Sequence, residues 1–168
     1  MSEGSPVTIR QATTADYDDL IHQVDRWWGG RPMAAMLPRL FFQHLGPWIY
    51  VALRDEERLG FLCAFRSQSD DGIAYCHFIG VDPEARGLGI GEGLYMRLFV
   101  DAAAAGCREV HSVTSPTNQG SIAFHRRLGF EVQPGSRCEA HVPYSPDYDG
   151  PGEDRVRLIM RLAQMQQG

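Results

Sequence analysis

The spacing of apolar residues along this chain changes from alternation to helical spacing, then back to alternation and again. Val7–Arg10 alternates briefly and predicts an edge strand. Thr14–Trp28 predicts a helix: Thr13 or Thr14 can cap it, Tyr17, Leu20, Ile21 and Val24 share one face, and Gly29, Gly30 and Pro32 end it. Met33–Leu45 predicts a second helix, broken near Pro38. Three strands follow, Trp48–Arg54, Leu59–Arg66 and Ile73–Val81. The polar turns Asp55–Glu57 and Ser67–Gly72 join them into an antiparallel meander. Leu88–Ala105 predicts a long helix ended by Gly106, and Glu109–Thr114 a strand. Asn118–Leu128 predicts a helix closed by Gly129, and Phe130–Gln133 another strand. Ser136–Asp154 reads mostly as loop, and Arg155–Leu162 alternates as a final strand. This order implies a mixed α/β fold with helices beside a mostly antiparallel sheet. A parallel pair is expected where the Leu88–Ala105 helix crosses between strands.

Composition narrows the picture. At 168 residues, 43% apolar and 22% charged, the chain is expected to be a single globular domain. A net charge of −5 without a basic block argues against nucleic acid. No apolar run is long enough to span a membrane, and Met1–Arg10 lacks the pattern of a signal peptide. Cys63, Cys76, Cys107 and Cys138 are widely spaced with no C-x-x-C pair, so a metal site is not expected. The simple expectation is a cytoplasmic protein with reduced thiols. An exposed strand edge or apolar patch would permit a homodimer.

The chemistry concentrates in Val81-Asp82-Pro83-Glu84-Ala85-Arg86-Gly87-Leu88-Gly89-Ile90-Gly91, between a predicted strand and a long helix. Glycines let the backbone approach a ligand, amides at the helix start favour an anion, and Arg86 adds positive charge. A phosphate loop ending in Gly-Lys-Ser/Thr is excluded, because Gly91 precedes Glu92. A G-x-G-x-x-G fingerprint is excluded too, because its third glycine would fall on Glu92 or Leu94.

The spacing R-x-x-G-x-G, as Arg86, Gly89 and Gly91, resembles the acyl-CoA signature of the GNAT N-acetyltransferase superfamily. A second stretch in register, Asn118, Ser121, Phe124, His125, Leu128, Gly129 and Phe130, is similar to that family's wording. The resemblance implies a splayed central parallel pair and acetyl-CoA as cosubstrate, with no metal. Amides from Gly87 through Leu88, Gly89, Ile90 and Gly91 would take the pyrophosphate. The acyl-pantetheine arm would lie along Ile79, Gly80 and Val81, with Asn118 and Ser121 lining its far side. The reaction implied is direct attack of an amine on the thioester, and the acceptor a small-molecule amine. A protein amine and a non-catalytic acyl-CoA-binding module are the alternatives. His125 stands where many members carry a Tyr that protonates the leaving thiolate; the other reading is a helix-face residue. The usual strand Glu is missing, which leaves His77 and Tyr75 as substitutes for the base, or His77 as a satisfied core histidine. On the acceptor side, Trp27 and Trp28 are candidates: adjacent residues on a helix diverge, so one reading has one of them line a pocket and stack on a cation, and the other has both pack at the helix end. The acidic late loop Tyr144–Asp154 would attract an ammonium group, or be merely solvated.

Overall fold

A computed structural model describes residues 4–163. The chain divides into two compact units. The first holds the described residues up to Phe65 together with Cys76–Asp101. The second holds Arg66–Tyr75 together with the described residues from Ala102 onward.

In the first unit, β1 (Thr8–Gln11) pairs antiparallel with β2 (Ile49–Arg54), and β2 pairs antiparallel with β3 (Glu57–Arg66). Ile49, Val51, Leu53, Phe61 and Cys63 enter one core with Leu20, Val24, Trp27, Leu37 and Phe42. The predicted helix over 14–28 is two helices, α1 (Thr14–Leu20) and α2 (Val24–Trp27). Leu20, Val24 and Trp27 keep helical spacing and all face the core through the break. Packing, and not the hydrogen-bond ladder, therefore sets their direction. The second predicted helix is a 3-10 turn at Ala34–Met36 and then α3 (Leu40–His44). Pro38 is the cause: it lacks an N–H and pushes the residue before it toward extended geometry, and Leu37 sits at φ −121°, ψ 67°.

β4 (Ile73–Val81) enters both units, as does α4 (Ile90–Ala104). Along β4 the even-numbered side chains are buried and the odd-numbered ones half-buried, as alternation predicts. In the second unit, Ile73–Tyr75 pairs parallel with Glu109–His111 of β5 (Glu109–Thr114). β5 pairs antiparallel with the last long strand, Val156–Arg161, and that strand also receives the short β6 (Glu131–Val132). α5 (Gln119–Leu128) starts on Asn118, whose side chain accepts the Ser121 N–H, and ends on Gly129 at φ 106°.

The region expected to be loop contains a hairpin, β7 (Arg137–Glu139) with β8 (Val142–Tyr144). With that pair counted, Val156–Arg161 is β9, and the seven-stranded sheet runs β1-β2-β3-β4-β5-β9-β6. The hairpin left no usable pattern in the sequence. All of β7 is exposed, β8 carries Pro143, and the turn puts Ala140 and His141 at positive φ, where Asn-Gly is the usual signal.

Candidate functional site

Asp82 organises the head of the glycine loop. It is buried; its Oδ1 accepts the Glu84 N–H at 3.0 Å, and its Oδ2 meets Arg26 Nη2 at 3.2 Å. Its own N–H donates to the Leu59 carbonyl at 2.8 Å, which fixes the chain leaving β4 against β3. A single 3-10 turn, Pro83–Ala85, follows. Ala85 and Ile90 are buried and anchor the loop at either end, while Arg86, Gly87, Leu88 and Gly89 are exposed.

Gly87 and Gly89 lie at φ 81° and 73°, the left-handed region that only glycine enters freely. A Cβ at either position would meet no heavy atom within 4 Å, so the loop faces open space. The first backbone bond of α4 runs from Gly93 N–H to the Gly89 carbonyl at 2.9 Å. Among the described residues, the amides of Gly87, Leu88, Gly89, Ile90, Gly91 and Glu92 have no backbone acceptor. A run of amides at the positive end of a 15-residue helix, opening on an exposed surface, suits an anion such as a pyrophosphate. Arg86 adds a full charge beside it.

The two tryptophans do not diverge. Trp27 is 2% exposed and stacks on Phe61 with ring centroids 6.0 Å apart. Trp28 is half-buried and packs on the same core, 5.0 Å from Phe78. Both therefore pack at the helix end, the second of the two readings; the divergence behind the first assumed a continuing helix. Trp28 is instead the residue after a four-residue helix, at φ −104°, ψ 27°. Its ring lies over Gly80, where an added Cβ would come 2.5 Å from it and 2.7 Å from Phe61. Gly80 thus makes room for Trp28.

His77 is held on two sides. Its Nε2 is 2.6 Å from the Met36 carbonyl, and its ring stacks on Phe41 at 4.5 Å and 5°. Met36, Phe41 and the Asp25 side chain that holds the turn ending at Met36 were not singled out from the sequence. No local motif marks them, because they meet His77 only through tertiary packing. Ile79 and Val81 are half-buried on the same strand.

In the second unit, Tyr75 is half-buried and stands opposite His111 of β5. Asn118 is exposed, with its side chain committed to the Ser121 N–H at 3.1 Å. His125 is 3% exposed. Its Nδ1 lies 2.8 Å from the Ser121 carbonyl and 3.3 Å from Ser121 Oγ, and its ring is edge-on to Phe124 and Phe130. Burial lowers its pKa below 6.5, against the opposing effect of the Ser121 carbonyl. A carbonyl only accepts, so Nδ1 carries the proton of the neutral ring.

The acidic loop spends its carboxylates internally. Asp147 Oδ1 accepts from Gly152 N–H at 2.7 Å, and Asp154 Oδ1 from Asp147 N–H at 2.8 Å. Asp149 and Glu153 both pair with Arg155. No described helix is long and apolar enough to cross a membrane.

Comparison with known proteins bears on this geometry. A model of the acetyltransferase (GNAT) family matches residues 10–130. The chain is similar to the L-2,4-diaminobutyric acid acetyltransferase of Halalkalibacterium halodurans, 29% identical over 67% of this chain and 58% of that protein. It is also similar to the L-methionine sulfoximine/L-methionine sulfone acetyltransferase of Pseudomonas aeruginosa, 27% identical over 74% of this chain and 80% of that protein. The chain spans between 24% and 58% of the length of three curated acetyltransferases that it matches. Its fold is similar to that of a protein from Salmonella typhimurium solved with its cofactor acetyl-CoA. The TM-score is 0.66 and the identity 21%, over 94% of this chain and 95% of that one.

Proposed function

Because the chain belongs to the acetyltransferase (GNAT) family, we propose that it transfers an acetyl group from acetyl-CoA to a primary amine of a small molecule, by direct attack. The observation that carries this reading is the run of amides from Gly87 to Glu92 that have no backbone acceptor among the described residues, at the start of α4, where Gly87 and Gly89 open on free space. Arg86 and these amides would hold the pyrophosphate. The β4 backbone at Ile79, Gly80 and Val81 would hold the pantetheine arm. Acetyl-CoA would supply an activated acyl carbonyl whose carbon–sulfur bond breaks on transfer. The relatives named for diaminobutyric acid and methionine sulfoximine support an amino-acid-sized acceptor.

The amine must be neutral to attack. An alkyl amine has an ordinary pKa of about 10.4, so deprotonation near neutral pH costs roughly 4 kcal/mol, which one positioned base can offset. Of the two candidate histidines, His77 suits proton acceptance. His125 is enclosed, its Nδ1–H faces a carbonyl, and its charged form is disfavoured, so we assign it to packing of α5.

The test uses the full chain with acetyl-CoA, following thiol release with L-2,4-diaminobutyrate, L-methionine sulfoximine and a short peptide with a free N-terminus. Release with an amino acid is the expected result. Release with the peptide alone would redirect the reading to protein amines. A thermal shift without release would make the protein a binding module. The absence of both a shift and release overturns the reading.

A further inference from the structure

The half-buried His77 stands on β4, and three features of the first unit fix its ring. The Met36 carbonyl lies 2.6 Å from Nε2. A carbonyl has no proton to give, so Nε2 bears the hydrogen and Nδ1 is the ring's acceptor. Phe41 lies flat on the imidazole, 5° from parallel, and fixes the ring plane. Met36 ends the 3-10 turn Ala34–Met36, whose first N–H, that of Ala34, donates to Asp25 Oδ1 at 2.7 Å. The Asp25 backbone carbonyl also accepts from Gly30 at 2.8 Å, so the segment between α2 and the turn is folded back on this one residue. Asp25 therefore sets where the Met36 carbonyl sits, and that carbonyl sets the tautomer of His77.

We infer that Asp25 and Phe41 are positioning residues for His77, which they hold as the Nε2–H tautomer so that Nδ1 takes the proton from the acceptor ammonium. The inference rests on the acetyl-transfer reading above. The protons balance as follows. The ammonium R–NH3+ gives one proton to Nδ1, and the imidazolium returns it to water. The neutral amine then bonds to the acyl carbon, the carbon–sulfur bond breaks, and the second proton from nitrogen goes to the departing sulfur. An imidazole alone can accept through either nitrogen; this arrangement leaves one, and orientation of a base is worth much of its effect.

Nitrogen-15 spectra of the histidine rings, recorded on the wild-type protein with acetyl-CoA, read the tautomer directly. The expected result is a protonated Nε2 and an unprotonated Nδ1 at His77; the reverse overturns the inference. His77→Gln keeps a donor for the Met36 carbonyl and removes the base. Its kcat is expected to fall about 10²-fold, with KM for acetyl-CoA within about twofold. Wild-type turnover in His77→Gln overturns the inference and leaves acetyl transfer standing. Asp25→Ala should lower kcat roughly fivefold to tenfold and mix the two tautomers, while Asp25→Asn, which retains the acceptor oxygen, should restore both. Phe41→Leu should lower kcat and Phe41→Tyr restore it. A fall in kcat for Asp25→Ala with the His77 tautomer unchanged would make Asp25 merely structural and also overturns the inference. If no amine releases thiol and acetyl-CoA gives no thermal shift, the acetyl-transfer reading fails, and the wild-type spectrum still decides the tautomer.

Discussion

Asp16 has no exposed surface, yet it is charged. It accepts from Arg10 Nη1 at 2.7 Å and Nη2 at 3.0 Å, from the Thr13 N–H at 2.7 Å, and from Arg58 Nε at 2.9 Å. Burial by itself would raise its pKa; the bonds from Arg10, the Thr13 amide and Arg58 outweigh that and lower it from 3.8 to about 2. A depressed folded pKa stabilises above the unfolded value and loses that contribution as pH falls through the folded one. The stabilisation, about 2–3 kcal/mol, is therefore present above about pH 4 and disappears toward pH 2. Asp16→Ala removes the carboxylate partner of the half-exposed Arg10 and leaves Arg58 only its pair with Asp19, and should cost about 2–3 kcal/mol in denaturant unfolding. An Asp16→Ala protein as stable as wild type at pH 7 would contradict this. His125 works in a milder range. Its lowered pKa means that the unfolded chain takes up the proton first, so stability falls as pH drops below about 6.5. His125→Phe should flatten the wild-type melting curve between pH 7 and 5. Its kcat should stay within about threefold of wild type, since the residue is assigned to packing; a loss beyond tenfold would restore it as the thiolate's acid.

At the scale of elements, the Asp82 side chain and the buried Ala85 and Ile90 anchor the loop from Asp82 to Gly91, and backbone conformation at Gly87 and Gly89 shapes its exposed part. Gly89→Val puts a β-branched residue at φ 73°, a strain of roughly 1–3 kcal/mol, though its Cβ meets no neighbour. Stability should fall by that amount. Acetyl-CoA affinity, read by calorimetry, should fall at least about tenfold, because the strained loop re-aims its amides. Unchanged affinity in the folded variant would reduce the loop to a helix cap. Gly80→Ala tests a different element. Its Cβ would come within 2.5 Å of Trp28 and 2.7 Å of Phe61, an overpacking that should cost about 1–3 kcal/mol. A repacked Trp28 should appear as a shifted tryptophan emission maximum. Boundaries were legible where the pattern was local. β5 at Glu109–Thr114 and the alternation along β4 follow from period-two spacing, and Asn118 and Gly129 frame α5 as its residue types demand. The break after Leu20 and the hairpin at 137–144 were not legible, because core packing and positive-φ non-glycine residues decide them.

For the whole molecule, a ligand held only by the folded state must raise the melting temperature. At a hundredfold excess over its Kd, acetyl-CoA should add about 2.7 kcal/mol, and the shift should grow with its concentration. The sequence by itself determined the order of the main strands and helices, the place of the glycine loop between β4 and α4, and the family resemblance; the last is borne out by the family match. These are written in short-range spacing: alternation for strands, glycine register for a loop, capping residues for helix ends. What only the tertiary structure decided is the use of individual side chains. Trp28 joins the core across Gly80, Asp149 and Glu153 are taken by Arg155, His125 is enclosed, and His77 has its tautomer set by a carbonyl from a turn 41 residues earlier in the chain. The physical reason is that hydrogen bonding and burial depend on neighbours far away in sequence, and these neighbours exist only once the chain is packed.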